Sequence, residues 1–265
     1  MHIVLTNDDG VHAAGIRALY RAFSVAHRVT VVAPASEQSG IGHAFTFHSP
    51  LFLERVCVAG MGNETYAVSG TPSDCVKMAL SVVLDSRPDA VVSGMNIGEN
   101  SGLSGYYSGT VAGAREGAFW NIPSYAFSVC EGGEGFYDEW SQIALSLFDR
   151  LGECRDRQGS VLTARTFFNV NFPSCAPREG KGVRFTRQSM AWFNDRYRTI
   201  AAPDGRTGHV IYGEKQDLET SDAYDSRALL SGYTTITPLQ FDATASEAVA
   251  ELAGRESPIT AATGL

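Results

Sequence analysis

The sequence predicts an α/β protein with a doubly wound, mostly parallel sheet. Short apolar runs rich in β-branched residues alternate with amphipathic helical patterns through the first half of the chain. These runs are too continuously apolar to leave one face in water, which is typical of parallel strands covered by helices on both sides. Because strand, helix and strand follow one another, the connections must be crossovers, and crossovers to both faces give a doubly wound sheet.

The core strands are predicted in chain order from unbroken apolar runs. Their ranges are 2–6, 29–33, 90–93, 125–129 and 167–172. Pro173 ends the last of them, because proline cannot donate to a strand ladder. Apolar residues at helical spacing predict helices across 16–23, 76–84 and 140–151.

The residues from Thr71 to Asp74 carry the signals that start a helix. Thr71 is placed to cap the helix, Pro72 takes the first helical position and Asp74 lies in the first turn. Capping explains this stretch fully, and a substrate contact there stays open as an alternative.

The composition of the sequence changes after the predicted core. A core over 1–175 is predicted to be followed by a protruding arm or hairpin region over 176–232, which is richer in charge, aromatic residues and turn signals. Within it, two strand-like runs, 197–201 and 209–213, flank a Pro-Asp-Gly turn at 203–205 and predict a hairpin.

The last segment, 233–265, is predicted to hold a strand at 233–239 and a final helix, so that the three segments form a single overall domain. A capping box from Thr244 to Glu247 is expected to open that helix. The tail after Arg255 is expected to fray.

Composition excludes several classes of function. The formal net charge is −8 and no Lys/Arg cluster occurs, which argues against binding to a nucleic-acid polymer. The five cysteines are widely spaced and form no CxxC pair, as expected for reduced thiols in the cytoplasm. No apolar run approaches the length of about 20 residues that a membrane helix needs. We therefore expect a cytoplasmic protein without a membrane partner.

Polar side chains and glycines follow three of the predicted strands. The stretches are NDDG at 7–10, APASEQSG at 33–40 and SGMNIGEN at 93–100. In a parallel sheet such loops meet in the crevice beyond the carboxyl ends of the strands. Two adjacent carboxylates, Asp8 and Asp9, with a hydroxyl and an amide oxygen nearby, form an all-oxygen site that suits Mg²⁺, Mn²⁺ or Ca²⁺. A plain turn is the competing interpretation of NDDG alone.

The stretch YYSGT at 106–110 runs directly into a helical pattern. The N–H groups and dipole of a helix N-terminus favour a phosphate, and the Ser and Thr hydroxyls can donate beside them. An ordinary helix cap explains the stretch equally well. No GxSxG, GxxxxGK[ST] or GxGxxG motif occurs, which argues against serine hydrolases, P-loop kinases and dinucleotide-binding oxidoreductases. Haloacid-dehalogenase-like phosphatases need an Asp-x-Asp spacing, whereas the two acids here are adjacent.

Taken together, these segments closely resemble the SurE family, the stationary-phase survival proteins. The resemblance is carried by LTNDDG, VVAPASEQSGIGHAFT, GTPSDCVKMAL, PDAVVSGMNIGENSG and YYSGTVAGAREGAFWNIPSYAFS, and more loosely by FFNVNFP and GYTTITPLQFD. It implies a Rossmann-like core with one divalent cation, Mg²⁺ or Mn²⁺, held by Asp8, Asp9, Ser39 and Asn96. It also implies a phosphate seated by Gly40, Ser108, Gly109 and Thr110, and an arm that forms a homodimer or homotetramer.

The activity implied by this resemblance is metal-dependent hydrolysis of nucleoside 5′- and 3′-monophosphates, with Asp8 and Asp9 as the catalytic residues. Asp9 is the candidate that orients or deprotonates an attacking water, and direct attack by Asp8 stays open. The alternatives are a non-catalytic nucleotide-binding stress protein and a phosphatase for another phosphate ester or short polyphosphate. The chain departs from the family pattern at Asn121, where glycine is expected, and at Leu-Ser-Gly 103–105.

Overall fold

The computed structural model describes residues 1–154 and 166–253. The predicted fraying after Arg255 lies outside the described residues. Within these ranges no helix is both long and apolar enough to cross a membrane.

The described strands, numbered along the chain, are β1 (His2–Thr6), β2 (Arg28–Pro34), β3 (Leu53–Arg55), β4 (Thr65–Val68), β5 (Ala90–Ile97), β6 (Ser124–Val129), β7 (Thr166–Phe172), β8 (Val183–Phe185), β9 (Trp192–Phe193), β10 (Arg196–Ala201), β11 (Thr207–Tyr212), β12 (Lys215–Gln216) and β13 (Thr234–Gln240). The described α-helices are α1 (Ala14–Phe23), α2 (Pro72–Met78), α3 (Ser104–Tyr107), α4 (Gly109–Phe119), α5 (Tyr137–Gly152), α6 (Asp225–Leu230) and α7 (Ser246–Leu252).

The main sheet confirms the predicted doubly wound α/β class. Its order in the described residues is β3-β4-β2-β1-β5-β6-β7-β13-β8, with parallel pairing from β4 through to β7. β3 and β13 are antiparallel to their neighbours β4 and β7. The strand β1 therefore lies near the middle of the sheet, which places the NDDG loop at the centre of its carboxyl edge.

The two faces of the sheet carry separate cores. Along β1, Ile3 and Leu5 point into the larger cluster under α1 and α5, while Val4 points into the cluster under α2, as the two-residue period of a strand requires. Aromatic rings fill the larger cluster, where Phe148 of α5 lies edge-on to Phe23 at 5.3 Å. Burial on both faces explains why the strand sequences are continuously apolar.

The start of α2 confirms the predicted cap. The Thr71 hydroxyl accepts from the Asp74 N–H, and the Asp74 carboxylate accepts from the Thr71 N–H, which is a complete capping box with Pro72 at the first position. The helix continues into a π-helical turn over Ala79–Val83. Asn121 has φ +56°, a left-handed conformation that asparagine tolerates better than most residues, so it can stand where glycine was expected.

Two of the boundaries that differ from prediction have a clear local cause. β5 continues beyond residue 93 to Ile97, because a bulge between Ser93 and Asn96 lets the strand resume its pairing with β6. The predicted capping box at Thr244 is wrong: the N-cap of α7 is Ala245, and no side chain caps it. The Thr244 N–H donates instead to Asp242 Oδ1 at 2.9 Å, so a local turn delays the helix.

The predicted hairpin is confirmed as β10 and β11, which pair antiparallel from Arg196 opposite Tyr212 to Ala201 opposite Thr207. Its side chains are mostly exposed, and its apolar members make no core with the rest of the described chain. The segment 176–232 also contributes β8, which joins the main sheet beside β13.

Candidate metal and phosphate site

Three parallel strands and one helix bring most of the predicted site residues to one edge of the sheet. β1 lies between β2 and β5 in parallel register, so the loops that follow these strands leave at the same edge. Together with the start of α4 they enclose a cavity of about 280 Å³, which we call the acidic cleft. Its lining includes Asp8, Ser39, Gly40, Asn96 and Ser108.

Asp8 is held at the N-terminus of α4. Its side chain is buried, Oδ2 accepts from the Thr110 N–H at 3.0 Å, and Oδ1 accepts from the Thr110 hydroxyl. Burial raises the pKa of the Asp8 carboxyl, and the hydrogen bonds from Thr110 and the Gly109 backbone act against that rise. The helix end that was predicted to receive a phosphate thus receives a carboxylate of the chain itself, and Thr110 orients Asp8.

Asp9 is crowded by other negative charge. Burial is the largest cause that raises the pKa of its carboxyl, to about 7, and the charges of Asp8 and Glu37 add to it. The backbone at Ile97 donates to Asp9 and partly opposes the shift. Three carboxyl groups so close together are costly unless a proton or a cation neutralises them.

The loop after β2 carries Ser39 and Gly40. The Gln38 N–H donates to the Asp8 carbonyl oxygen at 2.7 Å, which fastens this loop to the end of β1. The Ser39 hydroxyl donates to Glu37 Oε1 at 2.7 Å, so its lone pairs stay available as acceptors. Gly40 has φ +70° and open space around it, which leaves its backbone accessible from the cleft.

Asn96 lies at the end of β5, just past the bulge. Its Nδ2 donates to the carbonyl oxygens of Ile97 at 2.9 Å and Gly98 at 2.7 Å, which leaves Oδ1 as the atom able to bind a cation. The turn toward it begins at Gly94, where φ is +138° and a β-carbon would collide with the Phe127 carbonyl oxygen. Only glycine fits at this position.

Ser108 caps α4, and its Oγ accepts from the Val111 N–H at 3.0 Å. Since a hydroxyl that accepts keeps its own proton, Ser108 can still donate into the cleft. Gly109 packs on Asp8: a β-carbon there would lie 2.8 Å from the Asp8 β-carbon. Glycine is therefore needed for the helix to approach the carboxylate so closely. Of the predicted site residues, Asp9, Gly109 and Thr110 are not among those that line the cleft.

A buried ion cluster behind the site has no signal in the local sequence. Glu116 of α4 accepts from Lys77 of α2 at 2.7 Å, from Trp120 Nε1 at 3.0 Å, and pairs with His43 at 2.9 Å. His43 lies in the loop that carries Ser39, and its ring stacks on Phe119 at 5.0 Å. The cluster thus joins both helices to that loop. His43 and Glu116 are 73 positions apart, beyond the reach of any periodicity.

The base of the arm also contributes to the cleft. Phe193 of β9 lines it, and Lys215 of β12 donates to Glu99 Oε1 and to Ser101 Oγ, both at 2.7 Å. These contacts fix the loop that follows β5. Ser104, within the atypical 103–105 stretch, also lines the cleft, and its hydroxyl is buried with no hydrogen-bond partner among the described residues.

The donor set fits a hard divalent cation. Two carboxylates, one amide oxygen and one hydroxyl oxygen supply oxygen ligands only, which favours Mg²⁺ or Mn²⁺ over zinc. Burial, together with the charges of Asp8 and Glu37, raises the pKa of Asp9, and a divalent cation beside these carboxylates would offset both effects. Among the described residues no group of three or more His, Cys, Asp and Glu side chains forms a further metal cluster.

Comparisons with known proteins all indicate the same family. The family described as Survival protein SurE matches residues 3–195. A protein of Moorella thermoacetica named 5'-nucleotidase SurE is 42% identical over 245 residues, covering 92% of each chain. A protein of the same name from Thermosipho melanesiensis is 38% identical, over 96% of this chain and 97% of its own length. A crystal structure of the SurE protein from Aquifex aeolicus superposes with a TM-score of 0.79 at 34% identity, over 97% of this chain and all of the other.

Proposed function

This chain belongs to the SurE family, and we propose that it is a metal-dependent nucleotidase that hydrolyses nucleoside 5′- and 3′-monophosphates to nucleoside and phosphate. The observation that carries the proposal is the meeting of Asp8, Ser39 and Asn96 in one cleft beside the crowded Asp9 carboxyl. The 5'-nucleotidase names of the relatives supply the substrate class.

One divalent cation, Mg²⁺ or Mn²⁺, is proposed to be held by Asp8, Asp9, Ser39 and Asn96. When bound, it supplies Lewis-acid polarisation of the phosphoryl oxygens and lowers the pKa of water. The chain provides what the cation needs: Thr110 keeps the Asp8 carboxylate in one orientation, and the two backbone carbonyls turn the Asn96 amide so that oxygen remains free.

The phosphate is proposed to lie against Gly40 and Ser108 beside the start of α4, where Gly109 and Thr110 contribute by holding Asp8 in place. Ser108 donates its hydroxyl proton to a phosphoryl oxygen, which stabilises charge as the ester bond breaks. Asp9 is proposed to orient the attacking water or to accept its proton.

The geometry favours water over Asp8 as the nucleophile. Both oxygens of the Asp8 carboxylate are engaged by Thr110, and the residue is only 4% exposed. A carboxylate so held is poorly placed to attack phosphorus. A rapid quench that traps a phosphorylated protein would contradict this assignment.

The arm and α7 are proposed to form the contacts of a homodimer or homotetramer. The hairpin exposes Tyr197, Ile200, Ile211 and Tyr212, and exposed apolar patches of this kind mark interaction surfaces. The core over 1–175 and the arm over 176–232 are proposed to divide catalysis from assembly within a single domain. A cytoplasmic location is also proposed, and it is supported by a cysteine pattern that is typical of reduced thiols.

The test is phosphate release from a panel of nucleoside 5′- and 3′-monophosphates with Mn²⁺, Mg²⁺ or EDTA. We expect release to need a divalent cation and to fall at least about 100-fold in Asp8→Asn, since the ligand that Thr110 orients is neutralised. The matched control is Asp138→Asn, a surface aspartate bridged to Arg21 at 2.5 Å, which should keep full activity.

Two results would overturn the function. Nucleotide binding by a folded protein that releases no phosphate with any cation would identify a non-catalytic nucleotide-binding stress protein. Release from another phosphate ester or short polyphosphate, with none from nucleotides, would identify a different phosphatase.

A further inference from the structure

A second cavity, of about 670 Å³, lies between α4, the segment after β8 and the segment after β13. We call it the arginine cleft, and its chemically distinctive lining is Arg115, Arg187, Gln188, His43, Phe119 and Phe241. It shares no lining residue with the acidic cleft. Neither the metal site nor the ion cluster at Glu116 accounts for its two guanidinium groups.

Arg115 carries a charge that nothing in the described chain neutralises. It is half-buried on α4, and it forms no ion pair with a carboxylate of the described residues. Its neighbour Glu116 is already taken by Lys77 and His43, and its guanidinium lies 5.7 Å from the Phe167 ring centroid. Burial lowers the pKa of Arg115. A half-buried cation without a counter-ion is costly, and an anionic ligand would remove that cost.

Arg187 brings a second guanidinium from a rigid stretch of backbone. Its N–H donates to the Ala223 carbonyl oxygen at 2.8 Å, and its own carbonyl accepts from the Asp225 N–H at 2.9 Å. The next side chain, Gln188, donates to the Gly102 carbonyl oxygen at 2.8 Å. The Arg187 side chain itself forms no ion pair within the described residues. Its position is thus fixed by the backbone while its donors remain available.

The balance of charge in this cleft is opposite to that of the whole chain. Asp242 is the acidic residue of its lining, and Asp242 Oδ1 accepts from the Thr244 N–H at 2.9 Å. Two guanidinium groups therefore face one carboxylate, in a chain of formal net charge −8. Planar guanidinium forks match phosphate and carboxylate oxygens bidentately.

Aromatic faces complete the cavity. Phe119 is 46% exposed and Phe241 is 37% exposed, and their rings meet edge to face at 4.9 Å. Phe119 also stacks on His43, so the ring is held in place. Exposed, fixed aromatic faces bind planar heterocycles by stacking, without regard to the identity of the base.

We propose that the arginine cleft binds a second nucleoside phosphate, with its phosphate on Arg115 and Arg187 and its base against Phe119 and Phe241, at a site distinct from the acidic cleft. The two clefts are neighbours through α3, because Tyr106 lines the arginine cleft and Tyr107 lines the acidic one. The proposal follows from the chemistry of this cavity and does not depend on hydrolysis in the other.

The test is a calorimetric titration of the full chain with adenosine 5′-monophosphate, in EDTA so that hydrolysis does not interfere. We expect Arg187→Gln and Arg115→Gln each to weaken one class of binding site at least about tenfold, because each removes a charge-assisted contact to phosphate. Arg178→Gln, an exposed arginine outside the cleft, is the matched control and should bind like the parent. Since Arg187 is exposed, its variant tests the site even where the Arg115 variant fails to fold.

Two further probes check the ligand class. Inorganic phosphate and uncharged adenosine should each bind at least about tenfold more weakly than the nucleotide. The proposal is overturned if Arg187→Gln binds the nucleotide like the parent, or if adenosine binds as tightly as its monophosphate. It is also overturned if Arg187→Gln changes only the oligomeric state in sedimentation, because the cleft would then be an interface between copies. A chain that releases no phosphate but loses nucleotide binding in Arg187→Gln would contradict the proposed hydrolysis and support this site.

Discussion

Glu116→Gln tests whether the ion cluster behind the site supports both stability and function. Glu116 is 2% exposed and receives Lys77, His43 and Trp120. Burial alone raises the pKa of this carboxyl, but the hydrogen bonds from the three donors outweigh it and hold the pKa below its usual range. The carboxylate is therefore ionised at neutral pH, and the amide of glutamine removes its charge without changing its shape.

The expected loss follows from the individual contacts. Lys77 and Trp120 share Oε1, so a glutamine oxygen there keeps both partners but lowers a charge-assisted bond of about 1.5–3 kcal/mol to an ordinary bond of about 1 kcal/mol. The new N–H₂ group faces the His43 Nε2 atom, which must shift its ring proton or leave a donor unpaired, at a cost of about 1 kcal/mol. The free energy of unfolding should fall by about 2 kcal/mol, which lowers Tm by about 4–8 °C.

Urea unfolding followed by circular dichroism measures this loss, with Glu64→Gln as the control. Glu64 pairs with Arg28 at 2.5 Å, but both side chains are substantially exposed, so removing that charge should cost less than about 1 kcal/mol. Because His43 lies in the loop of Ser39, Glu116→Gln should also raise KM for the nucleotide. Equal losses in the two variants would refute the argument that burial gives the Glu116 cluster its strength.

Three more outcomes are expected. In EDTA, stability should fall as the pH rises from about 4 to 7, because the pKa of Asp9 is about 7 in the folded chain against 3.8 ordinarily and the folded state keeps the proton longer. Thermal melts of Asp9→Asn should show a shallower slope, and an unchanged slope would contradict the assignment. Gly109→Ala should lower kcat about 10- to 100-fold by displacing Asp8, whereas Gly135→Ala, with open space at its β-carbon, should not. Ile211→Asp on the exposed hairpin should reduce the mass seen in sedimentation equilibrium, and an unchanged mass would exclude this face as the contact.

Local patterns predicted what depends on neighbours in sequence. The core strands, the α2 cap and the hairpin all follow from side-chain periodicity and turn chemistry within about ten residues. The four-residue strand β4 was not predicted, because a strand so short shows too few alternating positions to detect. Its place near the edge of the sheet is set by its pairing with β2. The cap at Thr244 failed because Asp242 competes locally for the same N–H.

The site was predictable to the extent that topology alone determines it. Parallel strands deliver their following loops to one edge, so Asp8, Ser39 and Asn96 could be expected together. The contact between Glu116 and His43 that supports the Ser39 loop could not, since it spans 73 positions. The arginine cleft could not be predicted either, because Arg115 and Arg187 line one cavity only in the folded chain. Long-range packing of this kind leaves no repeat in the sequence.

The position of Asp8 means that the N-terminus of α4 is not free to attract a phosphate. The sequence predicts that the substrate's charge lies at the start of α4, where N–H groups and the helix dipole favour an anion. In the structure those N–H groups serve the Asp8 carboxylate, and Asp9 and Glu37 add negative charge nearby. The chain alone therefore repels a phosphate from the acidic cleft, so binding there must depend on a cation. The arginine cleft carries its own positive charge, so nucleotide binding in EDTA should persist there while it is lost beside Asp8.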